Sequence, residues 1–242
     1  MVSPDLKLEA LGDWARIESR ITGQPAPGAA RRPADLAAAL AAAAGQLAVL
    51  AVLPFLVLVR VASSLYLHHH ASPWLALAAG AGCTFGLVTA YGAWVSHRLT
   101  GRVRLLALAR RVALPLVVAY CGYALIYLSS GNAKSDRVRA YYTSLHPLLR
   151  VALSTWILVD RDLLITDLTR RPADYPAMGL PVSDGSLHYV QRDGYAHAVD
   201  LRTEGRSGVK NRVVQAYFWS MGFATLRHLG SADHLHVELP VR

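Results

Sequence analysis

The sequence predicts an α-helical membrane region of three transmembrane helices, followed by a small α+β domain outside the cytoplasm. Three long apolar runs lie between residues 36 and 130, the rest of the chain is polar, and arginines cluster beside only some of the runs. Of 242 residues, 53% are hydrophobic and only 17% charged, whereas a soluble domain carries about 25% charged residues. We therefore predict a tail over residues 1–35, a membrane region over 36–130 and a C-terminal domain over 131–242.

The three apolar runs are Leu36–Val59, Pro73–Val95 and Val112–Leu128. A helix needs about 20 apolar residues to cross a bilayer, so the first two runs suffice easily and the third only just. The formal charge of the chain is +9. Because many of the arginines flank the apolar runs, membrane topology explains this charge and no nucleic-acid partner is expected.

The loops between the runs predict the orientation of the chain. Five arginines lie between the second and third runs: Arg98, Arg102, Arg104, Arg110 and Arg111. The connection Val61–Ser72 has no lysine or arginine. The positive-inside rule then puts the tail and the arginine loop in the cytoplasm, and the C-terminal domain on the periplasmic or extracellular side of a bacterial inner membrane. Lys134, Arg137 and Arg139, just after the third run, favour the opposite orientation.

Three groups of residues in the membrane region could suggest a function: two cysteines, a histidine tract and a set of glycines. The two cysteines, Cys83 and Cys121, lie in apolar runs, which excludes a disulfide framework or a cysteine-based zinc site. The His68-His69-His70 tract is more typical of an interfacial loop than of a metal site. Small residues in the second run favour close contact with another helix or a further membrane subunit: Gly80, Gly82, Gly86 and Gly92.

The C-terminal domain mixes helical and extended patterns without a regular βαβ repeat, which is typical of an α+β fold. Apolar spacing predicts helices over Asp136–Ser154 and Val213–Gly222. An extended segment with a turn is predicted over Trp156–Thr166. Short strands are predicted over Ala198–Leu201, Ala224–Leu226 and Leu235–Pro240.

Histidine and aspartate are concentrated in this domain. Residues i and i+2 of a strand point to the same face, so His234 and His236 can face one pocket. A hydrolytic zinc site needs three protein ligands from His, Asp or Glu and one open position for water. A neighbouring carboxylate then serves as general base. This part of the sequence contains all of these residue types.

The order of these residues resembles a known family. The relevant segments are Ile165–Arg170, Met178-Gly179-Leu180, Ser186-Leu187-His188, Ala198–Leu201 and Asp233–His236. They resemble the zinc D-Ala-D-Ala carboxypeptidase and dipeptidase family (peptidase M15-like), part of a wider group with lysostaphin-type and hedgehog-type domains. The resemblance covers roughly residues 145–240 and excludes the membrane region.

The resemblance implies a zinc ion and a set of ligands. His188, Asp200 and His236 match the three zinc ligands of the family. Asp233 takes the place of the catalytic glutamate, with a side chain that is shorter by one methylene. Since a displacement of about 1 Å can strongly affect a reaction rate, this substitution puts the general base in question.

The resemblance also implies two auxiliary residues. Arg170 matches the arginine that binds substrate or steadies the tetrahedral oxyanion, although an ordinary salt bridge with a nearby aspartate is an equal alternative. His234 matches the first histidine of a His-x-His variant, where it is a donor near the oxyanion. For His228, a surface or hydrogen-bonded role is favoured over metal binding.

The spacing of the ligands departs from the family pattern. Eleven residues separate His188 from Asp200, more than the family usually has. Three explanations are open: an insertion follows His188, the site is rewired, or metal binding has been lost. The usual spacing would place Asp193 at the ligand position, and His197 lies closer to Asp200 in sequence.

Two functions follow from these observations. The first is a membrane-anchored zinc peptidase that acts on peptidoglycan peptides outside the cytoplasm. The alternative is a catalytically inactive domain of the same fold that serves as a structural or assembly subunit of a membrane complex, because fold does not imply function.

Overall fold

A computed structural model of the chain describes residues 33–170, 179, 185–230 and 233–241. Most of the predicted cytoplasmic tail therefore lies outside the described residues, as do Met178 and Leu180 of the family resemblance. The chain divides into two compact units, residues 1–49 and 50–242. Within the first unit, the described residues are the beginning of one helix. The second unit contains the rest of that helix and all of the other elements.

Three helices are long and apolar enough to cross a membrane, as predicted: Ala37–His69, Pro73–Thr100 and Leu105–Ile126. The first lies within α1 (Pro33–His69) and the second is α2 (Pro73–Thr100). The third consists of α3 (Leu105–Leu108), a π-helical turn (Ala109–Ala113) and α4 (Leu114–Ile126).

The connection between α1 and α2 is much shorter than predicted. α1 continues past Arg60, so His68 and His69 form its last turn instead of a loop. His70 has a φ of 52°, a left-handed conformation that turns the chain sharply. The Ser72 side chain then caps α2 by accepting a hydrogen bond from the Leu75 amide at 3.4 Å.

α2 packs closely against α1 at one glycine. A Cβ atom added to Gly80 would lie 2.6 Å from the Leu58 carbonyl oxygen, so only hydrogen fits there. Thr84, one turn further along, donates its hydroxyl to the Pro54 carbonyl at 2.8 Å. A Cβ added to Gly82 or Gly86 would meet nothing within 4 Å. Only part of the predicted glycine stripe therefore contacts another described helix.

The predicted helix Asp136–Ser154 is wrong as a single element. The structure has a short α5 (Asp136–Ala140), a 3-10 turn (Tyr142–Ser144) and then α6 (Pro147–Val159). His146 is extended because the residue before a proline is disfavoured in the helical region. α6 also extends through the first part of the segment that was predicted as extended.

α6 joins the C-terminal domain to the third apolar helix. The last carbonyls of a helix have no partner within it. At the end of α4, the Ala124 carbonyl accepts the Tyr142 hydroxyl at 2.7 Å and the Leu125 carbonyl accepts the Arg150 guanidinium. Ten consecutive residues of α6, Pro147–Trp156, are buried. The domain is therefore packed against the apolar helices and not only tethered to them.

A four-stranded antiparallel sheet carries the site. Its strands are β1 (Ile165–Asp167), β2 (Ala198–Arg202), β3 (Ala224–His228) and β4 (His234–Glu238), in the spatial order β1-β2-β4-β3. Helix α7 (Gly208–Met221) connects β2 to β3. The structure thus contains the predicted combination of helices and short strands, with a small antiparallel sheet.

The two faces of the sheet differ in chemistry because side chains alternate along each strand. Val199 and Leu201 of β2 and Leu235 and Val237 of β4 are fully or almost fully buried in the core. Burial of each such side chain contributes roughly 1.5–3 kcal/mol. The opposite face carries Asp200 of β2 and His234, His236 and Glu238 of β4. Because side chains alternate, burial of the apolar residues determines that these polar residues share the other face.

The close contact at Gly80 gives a test of the helix packing. We expect Gly80→Val to lower the stability of the full chain in detergent by roughly 1–3 kcal/mol, because the added atoms must displace the α1 backbone. Gly82→Val is the matched control, since its Cβ would enter open space. Thermal unfolding measures both variants, and equal melting temperatures would contradict the packing of α2 on α1.

Candidate metal centre

The pairing of β2 with β4 brings two of the predicted ligands together. Asp200 and His236 are directly opposed in the antiparallel register. Directly opposed residues of neighbouring strands have Cβ atoms about 4.5–5.5 Å apart on the same face. The His236 Nδ1 atom lies 2.8 Å from Asp200 Oδ1. The strand register alone therefore accounts for this contact.

The third predicted ligand, His188, reaches the same carboxylate from a loop. Its Nε2 atom lies 3.3 Å from Asp200 Oδ1. Its Nδ1 atom lies 2.7 Å from the Leu168 carbonyl, to which it can only donate. His188, Asp200 and His236 each offer a ligand atom within 4.8 Å of the others. The structure thus brings together the three residues that the sequence predicted as metal ligands.

The long spacing between His188 and Asp200 is accommodated by a tight hairpin. Val190 and Ala196 form an antiparallel bridge, and the Gln191 amide donates to the Tyr195 carbonyl at 2.8 Å. Gly194 occupies the turn with a φ of 85°, which favours glycine. The hairpin therefore lets His188 and Asp200 lie close together although eleven residues separate them in sequence.

The hydrogen bonds of the cluster suit a metal ion. A metal-binding imidazole usually donates its other N–H to a carbonyl or carboxylate, which fixes the ring and leaves a lone pair for the metal. His188 does so through Nδ1 to Leu168, and His236 does so through Nε2, which lies 3.2 Å from Glu238 Oε2. Both remaining nitrogens point at the same Asp200 oxygen. The residues therefore fit a divalent cation.

The electrostatics of the cluster favour an ionised carboxylate. Burial alone would raise the pKa of Asp200, but hydrogen bonds from His188 and His236 and the charge of Arg170 lower it well below its usual range. Burial alone would lower the pKa of His236, but Asp200 and Glu238 raise it. Without a cation, a proton on His236 would therefore be held more firmly than on a free imidazole.

Arg170 binds the carboxylate of Asp200. Its Nη2 atom donates to Asp200 Oδ2 at 2.7 Å, and its Nε atom donates to Asp167 Oδ2. Asp167 and Asp200 are paired in the β1–β2 register, so one guanidinium joins two strands. This geometry corresponds to the salt-bridge alternative of the sequence analysis, and it holds the carboxylate with Oδ1 facing the imidazoles.

The structure does not bring Asp233 to the cluster. Both of its oxygens are engaged by Arg227, at 3.2 Å and 2.8 Å, and Oδ1 also accepts the Thr203 hydroxyl at 2.6 Å. The hydrogen bond from Arg227 lowers the pKa of Asp233. A carboxylate in this state is a poor proton acceptor, so these contacts favour a role in joining β3 to the start of β4.

His234 lies beside the cluster without joining it. Its Nε2 atom is 3.7 Å from Asp200 Oδ1, beyond a hydrogen bond. The His228 ring stacks on it with a centroid distance of 4.7 Å. His234 thus lies at the edge of the cluster, where its ring and that of His228 line the same cavity. Its role as an auxiliary donor stays a prediction.

Glu238 is the functional candidate that the sequence analysis missed. It follows His234 and His236 at the same two-residue spacing in β4, so all three share one face. That alternation was visible in the sequence and could have identified it. Its side chain is 35% exposed, so its carboxylate is reachable from solvent while it contacts His236.

The cluster opens into a cavity of about 610 Å³. Its polar lining residues are Arg170, Ser186, His188, Asp200, Thr225, His228, His234, His236 and Glu238. Drug-sized ligands occupy cavities of about 300–1,000 Å³. The cavity therefore has room for a short peptide segment beside the cluster.

A second group of residues could hold a metal ion by distance: His146, Asp193 and His197. The hydrogen bonds are less suitable there. His146 Nδ1 accepts the Leu148 amide at 3.3 Å, so the neutral ring carries its proton on Nε2, the atom that would have to bind. The side chains of Asp193 and His197, which the sequence analysis considered as alternative ligands, are 2.8 Å apart, and their contact joins the Val190–Ala196 hairpin to the buried His197.

No protein-family model matches the chain, and neither does any curated protein or solved structure. The family resemblance therefore depends on the residues and geometry given above.

Zinc binding tests the ligand assignment. We expect the full chain to bind zinc, His236→Ala to lose it, and His228→Ala to keep it, since His228 lines the cavity without approaching Asp200. Below the raised pKa of His236 the metal must displace a proton, so the apparent affinity should fall by about tenfold per pH unit. Metal analysis and calorimetry between pH 8 and pH 5 measure both effects, and zinc retained by His236→Ala would exclude this site.

Proposed function

We propose that this protein is a membrane-anchored zinc-dependent peptidase that acts on cell-wall peptides, of the D-Ala-D-Ala carboxypeptidase type. The observation that carries the proposal is the convergence of His188, Asp200 and His236 at one open cavity. Their hydrogen bonds leave ligand atoms directed at a common point, as described above. The family resemblance predicted the same three residues from their order alone.

Each residue of the cluster has a distinct role in this proposal. His188, Asp200 and His236 would hold the zinc ion, with Arg170 and Glu238 orienting two of them. When bound, zinc supplies a Lewis acid that polarises a carbonyl and acidifies water. The open side of the cluster faces the cavity, where a peptide can approach.

Glu238 is the proposed general base. A base must lie within hydrogen-bonding reach of the proton that it accepts. Oε2 of Glu238 contacts His236, and the Glu238 side chain lines the cavity. Among the described residues, Asp200 and Glu238 are the carboxylates that line this cavity, and Asp200 is committed as a ligand. Asp233, the base predicted from sequence, is instead bound to Arg227.

The proposed location is a bacterial inner membrane, with the N-terminus in the cytoplasm and the C-terminal domain periplasmic or extracellular. The domain contacts the end of α1 that is remote from the arginine loop: the Tyr66 and His146 rings are 5.0 Å apart, and Leu67 approaches Gly222. By the positive-inside rule that end is external. Peptidoglycan stem peptides occur in this compartment, which supports the choice of substrate.

Two carboxylate variants test the identity of the base. We expect Glu238→Gln to lower kcat on a D-Ala-D-Ala peptide by about 10²–10⁴-fold, because general base catalysis is removed. Zinc content should be unchanged, because the amide oxygen can still accept from His236. Asp233→Asn should change kcat much less. If Asp233→Asn is inactive and Glu238→Gln is active, Asp233 is the general base, as predicted from sequence, and the assignment to Glu238 is wrong.

A specific observation favours the second candidate function, an inactive structural or assembly subunit. Asp200 is fully engaged without an ion: Oδ2 accepts Arg170 and Oδ1 accepts a protonated His236. Such a network joins β1, β2 and β4 by itself. A folded full chain that contains no zinc, and whose melting temperature is unchanged by added zinc, would favour this function over the peptidase.

A further inference from the structure

α6 runs beside the body of α4 and does not only touch its end. The Thr155 hydroxyl of α6 is hydrogen-bonded to the Tyr120 hydroxyl of α4 at 2.5 Å. The Tyr120 ring also contacts Phe55 of α1, with a centroid distance of 3.9 Å. Since a helix rises 1.5 Å per residue, Tyr120 lies about 9 Å before Ile126, the last residue of α4. Thr155 therefore lies at a level where both apolar helices continue past it.

A membrane crossing by the third apolar helix would put the end of α6 in lipid. The candidate span Leu105–Ile126 has 22 residues, and about 20 are needed to cross the hydrocarbon core. Nearly the whole helix is thus needed for the crossing, so Tyr120 lies within the leaflet next to the C-terminal domain. α6 is itself apolar, and its 13 residues suit an interfacial segment better than a spanning one.

α7 adds a second helix to this part of the surface. Tyr217 donates its hydroxyl to the Ala152 carbonyl at 2.9 Å, and its ring stacks on Trp156 with a centroid distance of 4.7 Å. A cavity of about 410 Å³ lies between the end of α6 and the start of α7. Four apolar residues that line it are exposed, by between 45% and 69%, and we call them the α6–α7 patch: Leu158, Val159, Val209 and Val213. A contiguous exposed apolar patch marks an interaction site.

The charged residues around the patch balance each other. Asp160 and Asp162 line the cavity together with Arg161 and Lys210, so carboxylates and cations are equal in number among its described lining residues. Asp162 pairs with Lys210 at 3.2 Å, and Asp160 pairs with Arg206. No anionic ligand is therefore needed to compensate the charge. An occupant of the cavity would be recognised by its apolar contacts.

We propose that the α6–α7 patch lies in the leaflet next to the C-terminal domain and is covered by lipid acyl chains. The patch adjoins α4, whose Leu116 and Val118 are exposed on a helix that would itself be surrounded by lipid. An interfacial helix buries its apolar face by about 5–10 Å, which agrees with the depth of Thr155 beside α4. The inference rests on the membrane crossing of the third apolar helix, and it is independent of the proposed peptidase activity.

The test is the environment of a nitroxide spin label on the full chain in nanodiscs of phosphatidylcholine. Val213→Cys carries the label, after Cys83→Ala and Cys121→Ala have removed the native thiols. Oxygen concentrates in lipid, whereas a nickel chelate stays in water. We expect the ratio of oxygen to nickel accessibility to be several-fold higher for the label at position 213 than for a label at Val190→Cys.

Val190 is the matched control because it is also an exposed valine, at 54% compared with 49% for Val213. Its hairpin contacts His197, whose ring lies 4.7 Å from His146, and His146 in turn lies 5.0 Å from Tyr66 of α1. Tyr66 is about 16 Å further along α1 than Phe55, the residue at the level of Tyr120. The control position is therefore on the part of the domain that is remote from the patch.

Leu158→Cys provides a second labelled position in the patch and should give the same high ratio. If the labels at 158 and 213 are as accessible to nickel as the label at 190, the patch lies in water and the inference is wrong. Labels that neither reagent reaches would mean that a second copy or another subunit covers the patch, which also overturns it. Phosphatidylglycerol should leave the ratio unchanged, and a high ratio seen only in its presence would indicate headgroup binding instead of acyl-chain contact.

Discussion

The register between β2 and β4 is the constraint on which the rest of the site depends. Asp200 opposes His236 because Val199 and Leu201 must face the core together with Leu235 and Val237. A shift of either strand by one residue would turn a carboxylate or an imidazole into the apolar core and expose its hydrophobic neighbours. The apolar face therefore enforces the contact between charged residues on the other face.

The parts of the site that follow from local periodicity could be predicted from sequence. The alternation of β4 predicted that His234 and His236 share a face. The family resemblance named His188, Asp200 and His236 as metal ligands, and the structure brings these three residues together. For Arg170 the sequence left a salt bridge and a substrate role open, and for Asp233 it did not predict the pairing with Arg227. Each forms a salt bridge with a residue on another strand or loop, and such pairing depends on the register of the whole sheet.

In the helical part of the domain, too, the sequence predicted some features and missed others. Apolar spacing predicted a helix near Asp136–Ser154 but missed the break before Pro147, although the proline itself was visible. The continuation of α6 to Val159 was missed because its residues, rich in β-branched and aromatic side chains, also suit a strand. Packing against α4 and α7 decides between the two, and that information is not local.

The polar contacts at the end of α4 have a consequence for the independence of the C-terminal domain. Tyr142 and Arg150 donate hydrogen bonds to the last carbonyls of α4, a helix of the apolar region. Tyr120 of the same helix is hydrogen-bonded to Thr155 of α6. If the chain were cut in the short connection after Ile126 and the two parts separated, α6 would lose the contacts that α4 makes with it. The released fragment would carry a bare nonpolar surface and an uncompensated guanidinium, and it would self-associate or return to the lipid instead of diffusing away.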